Sequence, residues 1–207
     1  MKRSMTVLVI AAFATLMALP QSAGAGVQFG IKAGGNMAKV TGADVHDLEG
    51  VLKTRVGFVG GVFLAFNFGR VVTIQWEALY TMKGATYEYT DLEDTYTEKL
   101  YGDYVEVPLL LKLKIPTPGI QPFVFAGPSV GFKLSEKHEI NGVPLTEALF
   151  KNNDYGAIFG AGLNLGRSFM LDVRYSLGLQ KVMNMIEGDI QPDTKNGVWS
   201  ATIGIAF

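Results

Sequence analysis

The sequence predicts an all-β protein, an eight-stranded antiparallel up-and-down transmembrane β-barrel. Three observations lead there. Apolar residues recur at every second position through eight separate stretches, the period of a strand rather than a helix. The links between those stretches alternate between short and long, as in a barrel with tight turns on one side of a membrane and long loops on the other. The chain also opens with an export signature.

In that signature Lys2 and Arg3 form a positive start, Val7 to Leu19 is apolar except for Thr15, and Pro20 ends the run. Ala23-Gly24-Ala25 then matches an A-x-A cleavage site. The run is short for a membrane-spanning helix, which needs about 20 residues. Residues 1–25 are therefore read as a cleaved signal peptide and residues 26–207 as one outer-membrane β-barrel domain. Cleavage leaves 182 of 207 residues, and without Lys2 and Arg3 there are 16 basic against 19 acidic side chains, a net charge of −3. Such a chain lacks the basic excess that a nucleic-acid partner requires. It has no cysteine, so it carries neither disulfide staples nor a lipoprotein anchor.

The eight predicted strands follow in order. Strand one, 26–39, sets Val27, Phe29, Ile31 and Ala33 against Gln28, Lys32 and Asn36. Strand two, 55–68, sets Val56, Phe58, Val62, Leu64 and Phe66 against Arg55 and Asn67. Strand three, 70–84, sets Val72, Ile74, Trp76, Ala78 and Tyr80 against Thr73, Gln75, Glu77 and Thr81. Strand four, 101–115, sets Val105, Val107, Leu109, Leu111 and Leu113 against Glu106, Lys112 and Lys114. Strand five, 120–134, is less regular, with Val124, Ala126, Val130 and Phe132 against Gln121, Ser129 and Lys133. Strand six, 155–166, sets Tyr155, Ala157, Phe159, Ala161, Leu163 and Leu165 against Asn164 and glycines. Strand seven, 168–182, sets Phe169, Leu171, Val173, Tyr175 and Leu177 against Asp172, Arg174, Ser176 and Gln180. Strand eight, 197–207, sets Trp199, Ala201, Ile203, Ile205 and Phe207 against Ser200 and Thr202.

Tight turns are expected at 67–70, 116–119 and 166–168, and long loops at about 40–54, 85–100, 135–154 and 183–196. An even strand number puts both termini on the periplasmic side. A soluble barrel would turn the same apolar face inward. The polar face argues otherwise, because it is rich in glycine (Gly34, Gly57, Gly61, Gly127, Gly131, Gly160, Gly162, Gly204) and suits a narrow lumen filled by side chains. The apolar face is nearly uncharged and suits lipid. Its aromatic residues sort by height: Phe29, Phe66, Phe68, Phe169 and Phe207 at periplasmic ends, and Phe58, Tyr80, Tyr101, Phe132, Tyr155 and Trp199 near outer ends. Two such bands are the pattern of interfacial girdles in contact with outer-membrane lipids.

Tyr104-Val-Glu-Val-Pro-Leu-Leu-Leu-Lys112 followed by Pro122-Phe-Val-Phe-Ala-Gly-Pro-Ser-Val-Gly-Phe132, with Gly30-Ile-Lys-Ala-Gly-Gly-Asn36 at the opening, resembles the PorT-like outer membrane protein β-barrel domain family. The resemblance implies an outer-membrane barrel and permits a place in an envelope protein complex for secretion or uptake. Trp199, Ile203, Ile205 and the terminal Phe207 also resemble the C-terminal signal that barrel-assembly machinery reads during insertion.

Pro108, Pro122 and Pro128 fall within strands four and five, where they are expected to mark bulges or strand ends. Phe123 and Phe125 have lumen-facing parity, so they either plug the lumen or reveal a one-residue slip. Lys32, Glu77, Glu106, Lys112, Asp172 and Arg174 all point inward, and three bases with three acids predict one neutralised network that blocks conduction. His46 and His138 are the only histidines, and they lie beside acids without a nucleophile or metal motif, so no enzyme, metal or cofactor is expected. The predicted loops are acidic and tyrosine-bearing, a composition suited to recognition and to gathering cations against lipopolysaccharide. Two of their features are specific. The 85–100 hairpin is expected to continue above the membrane, and Asn141-Gly142 is a hairpin-turn signal.

Overall fold

The computed structural model describes residues 26–42, 51–91, 94–140, 143–145, 153–179 and 194–207. Its strands are β1 (Val27–Gly42), β2 (Val51–Phe68), β3 (Val72–Asp91), β4 (Asp94–Lys114), β5 (Ile120–Ile140), β6 (Val143–Leu145), β7 (Asn153–Leu165), β8 (Phe169–Gly178) and β9 (Thr194–Ala206). Eight of them form a ring in the order β4-β3-β2-β1-β9-β8-β7-β5, closed by antiparallel pairing of β4 with β5. The ninth, β6, pairs only with β5. Closure removes every sheet edge from the bilayer, where an unpaired backbone group is costly.

The faces follow the sequence parity throughout. Val56, Trp76, Leu111, Val124, Phe159, Val173 and Ile203 are exposed on the outer surface. Lys32, Gln75, Glu77, Lys112, Asp172 and Arg174 are buried inside. Each of the three short turns places a glycine at positive φ: Gly69 at 69°, Gly119 at 78° and Gly166 at 67°. A side chain there would be strained, which is why these turns are so short and so glycine-dependent.

Apart from β8, which is described only to Gly178 against a predicted 182, with Gln180 outside the described residues, the strands outrun the predicted boundaries on the side opposite those turns. β3 and β4 remain paired up to Asp91↔Asp94, through Tyr89↔Tyr96, so the 85–100 segment is a hairpin continuation rather than a loop. Likewise β5 reaches Ile140, and Ile140↔Val143 brackets the expected Asn141-Gly142 turn, which itself lies outside the described residues. Alternation of apolar residues marks only the part of a strand that faces hydrocarbon. Beyond that band the ladder continues in polar sequence. The proposed signal peptide 1–25 and His46 also lie outside the described residues.

The prolines need a correction. They mark neither bulges nor strand ends, apart from Pro122 near the start of β5. Register runs unshifted past Pro108 (Glu106↔Gly131, Pro108↔Ser129, Leu111↔Ala126) and past Pro128 (Ser129↔Gly156, Pro128↔Ala157, Gly127↔Ile158). The ladder simply lapses on one side of each: between Trp76↔Leu109 and Leu79↔Glu106 beside Pro108, and between Pro108↔Ser129 and Leu111↔Ala126 beside Pro128. A proline lacks one donor, so one neighbour loses a rung while the other stays paired. The register shifts lie elsewhere, at Thr54/Val59 between β2 and β3 and at Asp103/Tyr104 between β4 and β5.

Phe123 and Phe125 point inward without any slip. With Phe63, Ala65, Leu110, Ile158 and Met170 they form a buried apolar cluster inside the lumen. Glycines opposite make room for the rings: a Cβ at Gly160 would meet Phe125 Cζ at 2.5 Å. The interior is therefore packed, as expected for a ring of eight strands.

Candidate functional site

The six inward charges predicted as one network divide into three environments. In the middle of the lumen Lys32 Nζ donates to Glu77 Oε1 at 3.0 Å and to Asp172 Oδ2 at 2.7 Å. Arg174 grips the same two carboxylates, with Nη1 to Glu77 Oε2 at 2.5 Å, Nη2 to Glu77 Oε1 at 3.2 Å and Nε to Asp172 Oδ1 at 2.9 Å. Gln75 Nε2 adds a bond to Glu77 Oε1 at 2.6 Å, and the guanidinium lies 5.2 Å from the Phe125 ring centroid. These four charged side chains are 0–2% exposed and sum to zero charge. Strands β1, β3 and β8 are thereby tied across the lumen.

Glu106 does not belong to that group. It lies further from the short turns and accepts from Lys83 Nζ at 3.1 Å, which also donates to Asp154 Oδ2 at 3.1 Å. Ser129 Oγ reaches the same Glu106 oxygen at 3.4 Å, and the Lys83 ammonium sits 5.4 Å from the Tyr104 ring centroid. Lys83 and Asp154 were missing from the sequence-derived set. Lys83 lies inside predicted strand three with the parity of Glu77 and Thr81, and Asp154 stands one residue before predicted strand six, so parity applied to Lys83, and extended by one residue for Asp154, finds both. Between the two groups Asn36 Nδ2 donates to Thr81 Oγ1 at 2.9 Å and to the Met82 carbonyl at 2.9 Å.

Lys112 joins neither cluster, which corrects the single-network expectation. Its ammonium lies 3.2 Å from Met170 Sδ and 4.2 Å from the Phe123 ring centroid. No carboxylate is within ion-pair reach of it among the described residues. The cause is its height: it projects toward the short-turn end, below the middle cluster, where β2, β8 and β9 supply Phe63, Ala65, Met170 and Ala206 instead of acids. There the lumen opens into a cavity of about 570 Å³.

On the outer surface Phe58, Phe68, Phe132, Tyr155, Phe169 and Trp199 are exposed, while Phe66, Tyr80 and Tyr101 are half-buried. Phe159, Tyr175 and Trp199 form a cross-strand row, with centroid separations of 5.5 and 5.0 Å. Phe29 is the exception to the predicted girdle. It has outward parity but is only 6% exposed, because Phe207 stacks on it with centroids 6.2 Å apart. Phe207 N also donates to Phe29 O at 2.7 Å. The last aromatic ring thus covers the seam where the first and last strands meet, with Ile203 and Ile205 pairing to Ala33 and Ile31 just above it.

A closed antiparallel ring with an apolar exterior and an ion-paired interior defines an integral membrane β-barrel. The chain belongs to the outer membrane protein β-barrel domain family, whose profile matches residues 20–184. Among curated proteins none matches the sequence. Among solved structures it is similar to Neisserial surface protein A (15% identity, TM-score 0.49, covering 86% of this chain and 97% of that one). It is also similar to OprG from Pseudomonas aeruginosa (11% identity, TM-score 0.49, covering 90% and 97%). The outer membrane enzyme PagL is a further similar structure (15% identity, TM-score 0.41, covering 84% and 98%).

Proposed function

We propose that this outer-membrane barrel is a non-enzymatic structural or interaction protein, which works through the strand extensions and loops on the side opposite its short turns. The observation that carries this reading is the Lys32–Glu77–Arg174–Asp172 cluster. It fills the middle of the lumen with paired, solvent-excluded charge and leaves the outer extensions as the part available to partners. Planar-bilayer recording tests it: no steady large conductance is expected, and a large stable one would overturn the reading. The non-enzymatic part rests on sequence, since His46 and His138 lack any hydrolase or metal motif. A lipid-modification assay comparing the wild type with His46→Ala checks it, and a histidine-dependent activity would count against it.

In this reading residues 1–25 are removed on export, both termini are periplasmic, and the outer extensions meet lipopolysaccharide. Mass spectrometry of the membrane-inserted protein is expected to find Gly26 as its first residue. Trp199, Ile203, Ile205 and Phe207 are read by the barrel-assembly machinery, and the stacking of Phe207 on Phe29 supports a further role in closure. Deleting Phe207 is expected to lower the yield of heat-modifiable, inserted barrel. Unchanged yield would remove that support.

The PorT-like resemblance of Tyr104–Lys112 and Pro122–Phe132 favours a second reading, an accessory component of a secretion or uptake complex. Co-purification in mild detergent separates the two. A stable stoichiometric envelope partner favours the second, and a protein that purifies alone favours the first.

A further inference from the structure

The short-turn end of the lumen differs from the rest of the interior in that the described side chains lining it include cations but no Asp or Glu. Its cavity of about 570 Å³ is within the usual range for small-molecule sites, roughly 300–1,000 Å³. Lys112 and Lys114 project from its wall, and Arg70 and Arg167 stand on two of the turns that form its mouth. Among the described residues no Asp or Glu side chain lines it. Lys114 Nζ is held by Asn67 Oδ1 at 2.8 Å, which Thr73 Oγ1 also reaches at 2.7 Å. Lys112 is only 5% exposed, and its ammonium has a thioether and an aromatic face as neighbours. Burying an ammonium without a counter-charge is costly, by several kcal/mol in real proteins. Lys32 and Lys83 show how this interior ordinarily meets that cost, with two carboxylates each. At Lys112 no carboxylate among the described residues stands within ion-pair reach to do so.

We propose that this vestibule binds a phosphate group, with the Lys112 ammonium at its floor, Lys114 in its wall and the two arginines drawing the anion in from the mouth. Lysine is a strong point-charge partner for phosphate, and the Gln121 amide in the same lining carries a further donor, whereas Gln75 and Asn164 already donate to Glu77 and Gln121. The room left over admits the organic part of a phosphomonoester. Two sources share this chemistry: a free phosphate compound in the adjoining compartment, and the headgroup of a phospholipid curling over the turn at Arg70 or Arg167. The site itself is independent of the proposed function. Only the assignment of its mouth to the periplasm rests on that reading.

The test is titration calorimetry with inorganic phosphate on the barrel purified from outer membranes in an uncharged detergent. Saturable binding at one site is expected. Lys112→Met is expected to weaken it at least tenfold while the protein stays heat-modifiable, and Lys133→Met, at the opposite end of the barrel, to leave it unchanged. Phosphate titration of wild-type protein followed by the NMR signals of the Lys112 side chain gives the same answer without a variant. Reconstitution in phosphatidylglycerol bilayers separates the sources. Loss of free-phosphate binding there assigns the site to a lipid headgroup, and unchanged affinity assigns it to a soluble phosphate. The proposal is overturned if the Lys112 signals respond neither to phosphate nor to the anionic lipid, or if Lys112→Met binds phosphate as the wild type does.

Discussion

Two regions of one lumen treat the same residue type in opposite ways. In the middle and upper parts, Lys32 and Lys83 each sit between two carboxylates. Near the short turns Lys112, equally buried and of the same inward parity, meets sulfur and an aromatic ring. A buried cation alone therefore does not reveal its purpose; its neighbours do. Where charges are matched, they tie strands together across the interior. Where one is unmatched beside open volume, as Lys112 is, it forms the floor of the phosphate site proposed above.

Substitutions can break or sharpen that contrast. The largest effect is expected for Glu77→Ala, which leaves Lys32 and Arg174 to share only Asp172. Loss of one partner from such a buried set costs about 3–5 kcal/mol, to be read as a lower midpoint in urea unfolding of the detergent-solubilised barrel. Lys83→Met breaks a smaller buried set, one cation between two carboxylates, and should cost about 3 kcal/mol in the same assay, the low end of that range. Lys112→Met removes a charge that no carboxylate neutralises and keeps the length of the side chain. The same unfolding assay should place it within about 1 kcal/mol of the wild type, on either side. If Lys112→Met proved as damaging as Glu77→Ala, the distinction between the two regions would be lost.

Much of this architecture was legible in advance. Parity alone assigned the inward and outward faces of the barrel strands except the fifth, where Phe123 and Phe125 left a one-residue slip open; in strands three and seven an error would have put Glu77 or Arg174 into lipid. The division of the charges was not legible. Lys32 meets Glu77 and Asp172 across 45 and 140 residues of sequence, on strands that are not its ladder neighbours, so only the closed ring brings them together. The apolar core within the lumen was hidden for another reason. Leu110 stands between Leu109 and Leu111, and Phe63 beside Val62 and Leu64, where an inward apolar residue merges with the outward row. Asp154 was missed because alternation fades at the edge of the hydrocarbon while the ladder does not, whereas Lys83 stood at inward parity within predicted strand three and was left out of the set.

That fading has a geometric counterpart. β4 has 21 residues and β8 has 10. At about 3.3 Å per residue and a tilt near 45°, the first climbs about 50 Å along the membrane normal and the second about 23 Å, roughly the height of the apolar band itself. The tall strands β3, β4 and β5 are consecutive around the ring, so among the described residues the strand framework rises higher on one flank than beside β8. Viewed down its axis the described strand framework has a front and a back, so a neighbour in a crowded membrane meets strands of different height from each direction.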